Sequence, residues 1–407
     1  MATFLWACYD GGGNMPYGLG VARALARRGH RVVFAGRPEM TAKVGPTEFD
    51  AVELREAYTD ADRYQDDPRG RALAYLTSPA VAEELLTVAA AERPDAVVID
   101  SNFGGALAVA PRFGVPTAVI LHSFLRRTLP SWHEMMRHQS RTRQALGFDP
   151  LPGLDELFGG RDLFMINTID DFDGGGGNPW PNMRYGGPIL EDDTHCRPYE
   201  LPWDADDPTP LALVSFTTDE IQNSVVKLQR TLEALETLPI HVLATTGTVD
   251  PDRITVPPNA RAVAFATHGP VMSRASFVVN HAGYGTVMRA LTHGIGVLCI
   301  TGQAEDQRVV AFDQPRTADF VQEHRVGVSV PATAGPADIR AAAQALLEDP
   351  GYRSNARRLG DLIVRSEGAD AAARHLSALP LAASPLGPAT GPAASSPVRP
   401  PLSADRT

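Results

Sequence analysis

The chain has 407 residues, 43% of them apolar and 21% charged, and a formal net charge of −11. That length exceeds one ordinary core and predicts two domains, while the acidity excludes a nucleic-acid backbone as partner, which needs a clustered positive field. No apolar run reaches membrane-span length, the N-terminus carries no basic stretch or cleavage pattern, and Cys8, Cys196 and Cys299 form no C-x-x-C pair. The expectation is a cytoplasmic protein with no membrane insertion, disulfide framework or structural zinc.

The first predicted strand is TFLWACY at 3–9, followed by the glycine loop DGGGNMPYGLG at 10–20. In the helix that follows, Leu19, Ala22, Leu25 and Ala26 share one face. Asn14 is placed to cap it, Pro16 is tolerated in its first turn and Gly29 stops it. RVVFAG at 31–36 is the next strand, then come a helix at about 80–92, the strand AVVID at 96–100, a small-residue helix at 104–114 and a strand at 117–122. Short apolar strands alternating with helices predict a parallel sheet covered on both faces. After a Gly-, Pro- and Asp-rich middle the grammar restarts. Strands are expected at 211–216, 240–246, 262–266, 276–280 and 296–300, and helices at about 219–237, 286–293, 304–323 and 337–348. A terminal helix is expected over 354–378. The fold class is therefore α/β with two facing doubly wound domains, 1–190 and 209–378, joined by a linker at 191–208. The tail 379–407, rich in Pro, Ala and Ser, cannot bury enough apolar surface to offset its ordering entropy and is expected to be disordered.

Parallel sheets bind ligands at the carboxyl ends of their strands. In VVNHAGYGTVMRALTHG at 278–294 a buried strand ends at Asn280 and His281 follows. Gly283 and Gly285 permit close backbone approach, and Thr286 opens a helix. Such a turn aims N–H groups and a helix N-terminus at one point, which suits an anion. A glycine-kinked turn with a capping threonine would read alike, but the added histidine and second glycine favour a ligand site.

These residues are similar to the donor-binding motif H-x-G-x-G-T of family 1 glycosyltransferases with the GT-B fold, in the bacterial branch that decorates antibiotics and other natural products. FATHGPVMSRASF at 265–277 fits the upstream part of that motif and QAEDQ at 303–307 its acidic-Gln step. PDAVVID at 94–100, GVPTAVILH at 114–122 and YGGPIL at 185–190 resemble segments of the family's first half, so the likeness covers about residues 1–375. It implies two Rossmann-like domains, the first holding the acceptor and the second a dTDP- or UDP-sugar. His281, Gly283, Gly285 and Thr286 would bind the donor diphosphate, and Asp306 and Gln307 the sugar hydroxyls. Phe265 would stack on the base, and Ser215, Thr217 and Thr218 would lie near the phosphates. Core packing is the plain alternative for Phe265, and helix capping for the hydroxyl residues.

The glycine loop departs from the family. There a G-H-x-x-P sequence carries the histidine that takes the acceptor proton, and here the pattern is GGGNMP at 11–16. Counting back from Pro16 puts Gly13 at that position, and one gap puts Asn14 there. Both would line the acceptor, and neither is a base. Asp10, Asp100 and His122 are left as candidates for that role. As bland readings, Asp100 is a helix cap and His122 a half-buried strand end. The resemblance implies an inverting, metal-independent hexosyltransferase that needs no cofactor and moves a hexose or deoxyhexose to a small natural product. Two alternatives stand beside it: a catalytically inactive donor-binding partner of another glycosyltransferase, and a UDP-sugar isomerase. A homodimer or an auxiliary protein is left open as a partner. HEMMRH at 133–138 lacks the i, i+4 histidines of a zinc helix, and the Asp171/Asp173 and Asp204/Asp206 pairs are ordinary in so acidic a chain. A dinucleotide fingerprint fails at Pro16.

Overall fold

The computed structural model describes residues 1–8, 14–58, 75–191, 199–217, 224–302 and 313–381. Its first half is a seven-stranded, all-parallel sheet. The strands are β1 (Thr3–Ala7), β2 (Arg31–Gly36), β3 (Asp50–Glu53), β4 (Ala96–Asp100), β5 (Thr117–Leu121), β6 (Leu163–Ile166) and β7 (Met183–Tyr185), in the order β3-β2-β1-β4-β5-β6-β7. The helices are α1 (Asn14–Arg27), α2 (Pro38–Val44), α3 (Pro79–Glu92), α4 (Gly104–Val109) and α5 (Leu129–Ala145). Successive strand residues point to opposite faces, and each face has its own core. Leu5, Val33, Val97, Ile99 and Val119 join one cluster, while Phe4, Trp6, Phe34, Val98 and Ile120 join the other. This two-sided burial is why the strands read as unbroken apolar runs.

The second half repeats the plan with six parallel strands: β8 (Leu211–Ser215), β9 (His241–Thr245), β10 (Ala260–Val263), β11 (Ala275–Asn280), β12 (Gly296–Thr301) and β13 (Gly327–Pro331), ordered β10-β9-β8-β11-β12-β13. Its helices are α6 (Val225–Leu235), α7 (His268–Met272), α8 (Tyr284–Thr292), α9 (Gln314–Glu323), α10 (Pro336–Glu348) and α11 (Pro350–Arg365). In both sheets the strand order reverses beside the first strand, which opens a crevice at the carboxyl edge.

The single helix expected over 354–378 is two helices. Glu367 takes φ +61° and Gly368 φ +33°, ending α11 and starting α12 (Gly368–Ser377) in a new direction. The sequence reading places 354–378 with the second domain, but α12 returns to the first. Ala372, Ala373 and Leu376 share a core with Val21 and Leu25 of α1, and Leu379 and Leu381 extend it. The return runs beside the outgoing chain. Gly187 has φ +88°, and a Cβ there would collide with the Ser366 side chain, so only glycine lets the two crossings pass. Of β3, β6, β7 and β13, which the periodicity did not single out, β3 and β6 have 4 residues and β7 has 3, and β3 and β13 are half-exposed edge strands. The parts of the expected helices that fall on 219–223 and 304–312 lie outside the described residues, as does the tail beyond 381.

The halves meet through aromatic side chains. Phe124 and Phe172 of the first half are buried in the same cluster as Tyr284 and Phe320 of the second. Tyr284 Oη donates to the Asn167 carbonyl at 2.8 Å, and Arg127 pairs with Glu323 at 2.8 Å.

Candidate functional site

The carboxyl edge of the second sheet presents the turn after β11. Asn280 is fully buried, and its Oδ1 accepts the Ala282 N–H at 2.7 Å. That bond holds Ala282 at φ +65°, a costly conformation for a non-glycine residue, and so fixes the turn. A Cβ at Gly283 would stand 2.9 Å from His281 Nε2, so the glycine is what lets the imidazole lie against the loop. Among the described residues a Cβ at Gly285 would meet nothing within 4 Å, so these leave the residue room on that side. Helix α8 starts at Tyr284 with no side-chain cap. The N–H groups of Tyr284, Gly285 and Thr286 therefore have no partner within the helix.

His281 is held neutral. Burial, then the charge of Lys227, pulls its pKa down to about 3 against a hydrogen bond to the Phe216 backbone. Lys227 lies in the first turn of α6, 3% exposed, its ammonium 5.3 Å from the centre of the Phe216 ring. Ser215 ends β8 and accepts a hydrogen bond from Thr245 at 2.8 Å. Thr217 follows two residues on, half-buried. Phe265, just past β10, is 49% exposed, one of the few large apolar side chains left in the open. Asp306, Gln307 and Thr218 lie outside the described residues.

At the facing edge of the first sheet, Asp100 ends β4 with no exposed surface. Its Oδ2 accepts Tyr17 Oη at 2.5 Å and its Oδ1 the Asn102 N–H at 2.8 Å. Burial, and then the Asp100 charge, pushes the Tyr17 phenol well above its ordinary pKa. His122 follows β5, with its ring parallel to Tyr17 within 8° and the centroids 5.9 Å apart. Its Nε2 lies 3.9 Å from Asp313 Oδ2, immediately before α9 of the other half. Asn14 opens α1 close by in sequence; Asp10 and Gly13 lie outside the described residues.

The structure thus gathers His281, Gly283, Gly285 and Thr286 on one edge, and Asp100 and His122 on the other. The sequence reading missed Tyr17, Lys227 and the Asp313–Gln314 pair. Tyr17 is marked only by following Pro16. Lys227 shows as a lysine among the apolar positions of α6. Asp313 and Gln314 repeat the Asp-Gln pair read at 306–307, a signal that could have been found. The Asp171/Asp173 pair proves structural. Asp173 is 1% exposed and accepts the N–H groups of Leu125 and Arg126 and the Tyr185 hydroxyl. Among the described residues no group of three or more His, Cys, Asp or Glu could hold a metal ion. No helix among them is long and apolar enough to cross a membrane.

Two doubly wound sheets that face each other, one with a histidine–glycine turn leading into a helix after its fourth strand, define a GT-B fold. Residues 229–376 match the family model "Erythromycin biosynthesis protein CIII-like, C-terminal domain", and residues 12–147 match "Glycosyl transferase 4-like domain". Among curated proteins, the chain is 29% identical over 238 residues to UDP-glycosyltransferase 2 of Phaeomoniella chlamydospora, a match covering 54% of this chain and 50% of that one. It is 24% identical over 415 residues to 4'-demethylrebeccamycin synthase of Lentzea aerocolonigenes, covering 88% and 95%. The glycosyltransferase SnogD from Streptomyces nogalater superposes with a TM-score of 0.71 at 18% identity over 93% of this chain and 100% of that one, a likeness of fold. The chain thus has the GT-B fold and is similar, in each half, to glycosyltransferases that include enzymes of natural-product biosynthesis.

Proposed function

We propose that this glycosyltransferase moves a hexose or deoxyhexose from a dTDP- or UDP-sugar to a small natural-product acceptor, with inversion and without a metal. The observation that carries the reading is the turn after β11: a neutral His281, an open Gly285 and the uncapped first turn of α8 converge on one point. This arrangement suits a diphosphate. Residues 209–378, apart from α12, would hold the donor, and residues 1–190 the acceptor. Gly283, Gly285 and Thr286 would bind the phosphates, with Ser215 and Thr217 beside them, and Phe265 would stack on the base. Asp306 and Gln307 would read the sugar hydroxyls. The names of the relatives, a UDP-glycosyltransferase and a rebeccamycin-type synthase, support the donor and acceptor classes.

In the reaction the acceptor oxygen bonds to C1 from the face opposite the diphosphate. The C1–O bond breaks with its electron pair going to the diphosphate, and the acceptor proton passes to a base. Charge developing on the leaving group is met by the α8 N-terminus, the His281 ring and the positive field of Lys227. This built-in positive charge supports the metal-independent reading, and a chelator such as EDTA should leave the rate unchanged. A second reading, a silent donor-binding partner of another glycosyltransferase, is favoured by one observation: Asp100 is fully engaged by Tyr17 and Asn102. One experiment separates them. Nucleotide sugars are screened by thermal shift, where a ligand of the native state raises the midpoint. The best donor is then incubated with acceptors, and product anomers are assigned by NMR. Transfer with inversion supports the proposal. A midpoint shift without turnover supports the silent partner. Isomerised donor formed without acceptor would indicate the isomerase.

A further inference from the structure

The acceptor proton must leave during transfer, and residues 9–13 contain no histidine to take it. Asp100 is poorly placed. It has no exposed surface, and both its oxygens already accept bonds, from Tyr17 Oη at 2.5 Å and the Asn102 N–H at 2.8 Å. A substrate hydroxyl would have to displace Tyr17 to reach it. Tyr17 cannot serve instead, because burial and the Asp100 charge keep its phenol protonated.

His122 remains. Its side chain keeps 21% of its surface exposed at the carboxyl edge of β5. Nδ1 is buried with no hydrogen-bond partner among the described residues, whereas Nε2 is the ring nitrogen that faces the other half, so only Nε2 is in reach of a bound molecule. The ring plane is set by the parallel Tyr17 ring, and Tyr17 is in turn anchored on Asp100. Asp313 Oδ2, from the opposite half, stands 3.9 Å from Nε2. That is beyond hydrogen-bond length but well within reach of a charge.

We propose that His122 Nε2 receives the acceptor proton, that Tyr17 anchored on Asp100 positions its ring, and that Asp313 across the cleft stabilises the imidazolium. The proposal rests on the sugar-transfer reading above. The acceptor O–H bond breaks as its oxygen bonds to C1. The proton goes to Nε2, the electron pair of the broken C1–O bond leaves with the diphosphate, and the imidazolium later returns its proton to solvent. Because His122 and Asp313 belong to different halves, the pair is complete only when the halves approach. Proton removal is thereby tied to closure of the cleft.

The test uses the full chain with dTDP-glucose or UDP-glucose, whichever raises the thermal midpoint more. Transfer is measured to benzyl alcohol, to 4-nitrophenol, which ionises unaided, and to water as donor hydrolysis. His122→Ala should lower kcat on benzyl alcohol by about 10²–10⁴-fold, the usual worth of base catalysis, and far less on 4-nitrophenol. Donor affinity should be unchanged, which also reports folding, and His122→Gln serves as the milder variant. Asp313→Asn and Tyr17→Phe should show the same selectivity for the alcohol at smaller amplitude. Equal losses on both acceptors would overturn the base assignment while leaving transfer intact. So would a selective loss in Asp10→Asn with none in His122→Ala. A wild-type protein that binds donor but transfers to none of the three would remove this proposal and the transfer reading together.

Discussion

Acidification should destabilise this protein through His281, by an amount the structure sets. Burial, reinforced by Lys227, pulls the imidazole from 6.5 to about 3. The unfolded chain takes up a proton near 6.5 that the folded chain refuses until about 3. The stability at stake is therefore whole above 6.5 and is lost as pH falls through that window. Each unit within it is worth about 1.4 kcal/mol, so moving from pH 6.5 to pH 5 removes about 2 kcal/mol. This is an upper figure, because part of the residue faces solvent. The assay is urea unfolding of the wild type and of His281→Asn, which cannot titrate, at pH 7.5 and pH 5. Other histidines whose pKa is lowered by burial, His30, His324 and His375, are common to both proteins and cancel. The stability of the asparagine variant relative to the wild type should rise by up to about 2 kcal/mol at the lower pH. If the two proteins lose stability in parallel, the imidazole is not buried and neutral, and the diphosphate-binding role proposed for the turn after β11 fails with it.

Gly360→Ala would drive a Cβ into the Leu291 carbonyl oxygen and push α11 off α8. Overpacking of this kind costs about 1–3 kcal/mol, so the thermal midpoint and donor affinity should fall together, and an unchanged midpoint would refute the packing. Phe265→Ala should weaken nucleotide binding by about 1–3 kcal/mol, the worth of a base stacked on an aromatic ring, in calorimetric titrations with dTDP or UDP, with folding unaffected because the ring is already 49% exposed. Lys227→Met keeps the length and apolar stem but removes the charge. Affinity for the diphosphate should drop about tenfold, the worth of one charge-assisted contact, while binding of the free nucleoside stays constant, and equal losses on both would assign Lys227 to packing.

Much of the fold was legible because burial leaves a local trace. Strands covered on both faces are apolar throughout, so β1, β4, β5, β8, β11 and β12 could be read directly, and the alternation with helices implied two parallel sheets. The turn after β11 was legible for a similar reason. Its histidine, two glycines and helix start fall within six residues, 281–286, and need no distant partner to be recognised. Edge strands such as β3 and β13 left little trace, since half of each faces solvent.

The tertiary structure decided what depends on residues far apart in sequence. The helical pattern of 354–378 does not reveal that Glu367 and Gly368 turn the chain back and that α12 buries Leu376 against α1. Tyr17 and Asp100 are 83 residues apart, yet one hydrogen bond between them occupies the carboxylate that sequence left as a candidate base. His122 and Asp313 meet only because two separately folded sheets face each other across the cleft. Periodicity records which side of an element is buried; it does not record which element comes to lie against it, and the contacts that place Tyr17, Asp100, His122 and Asp313 all cross from one element to another.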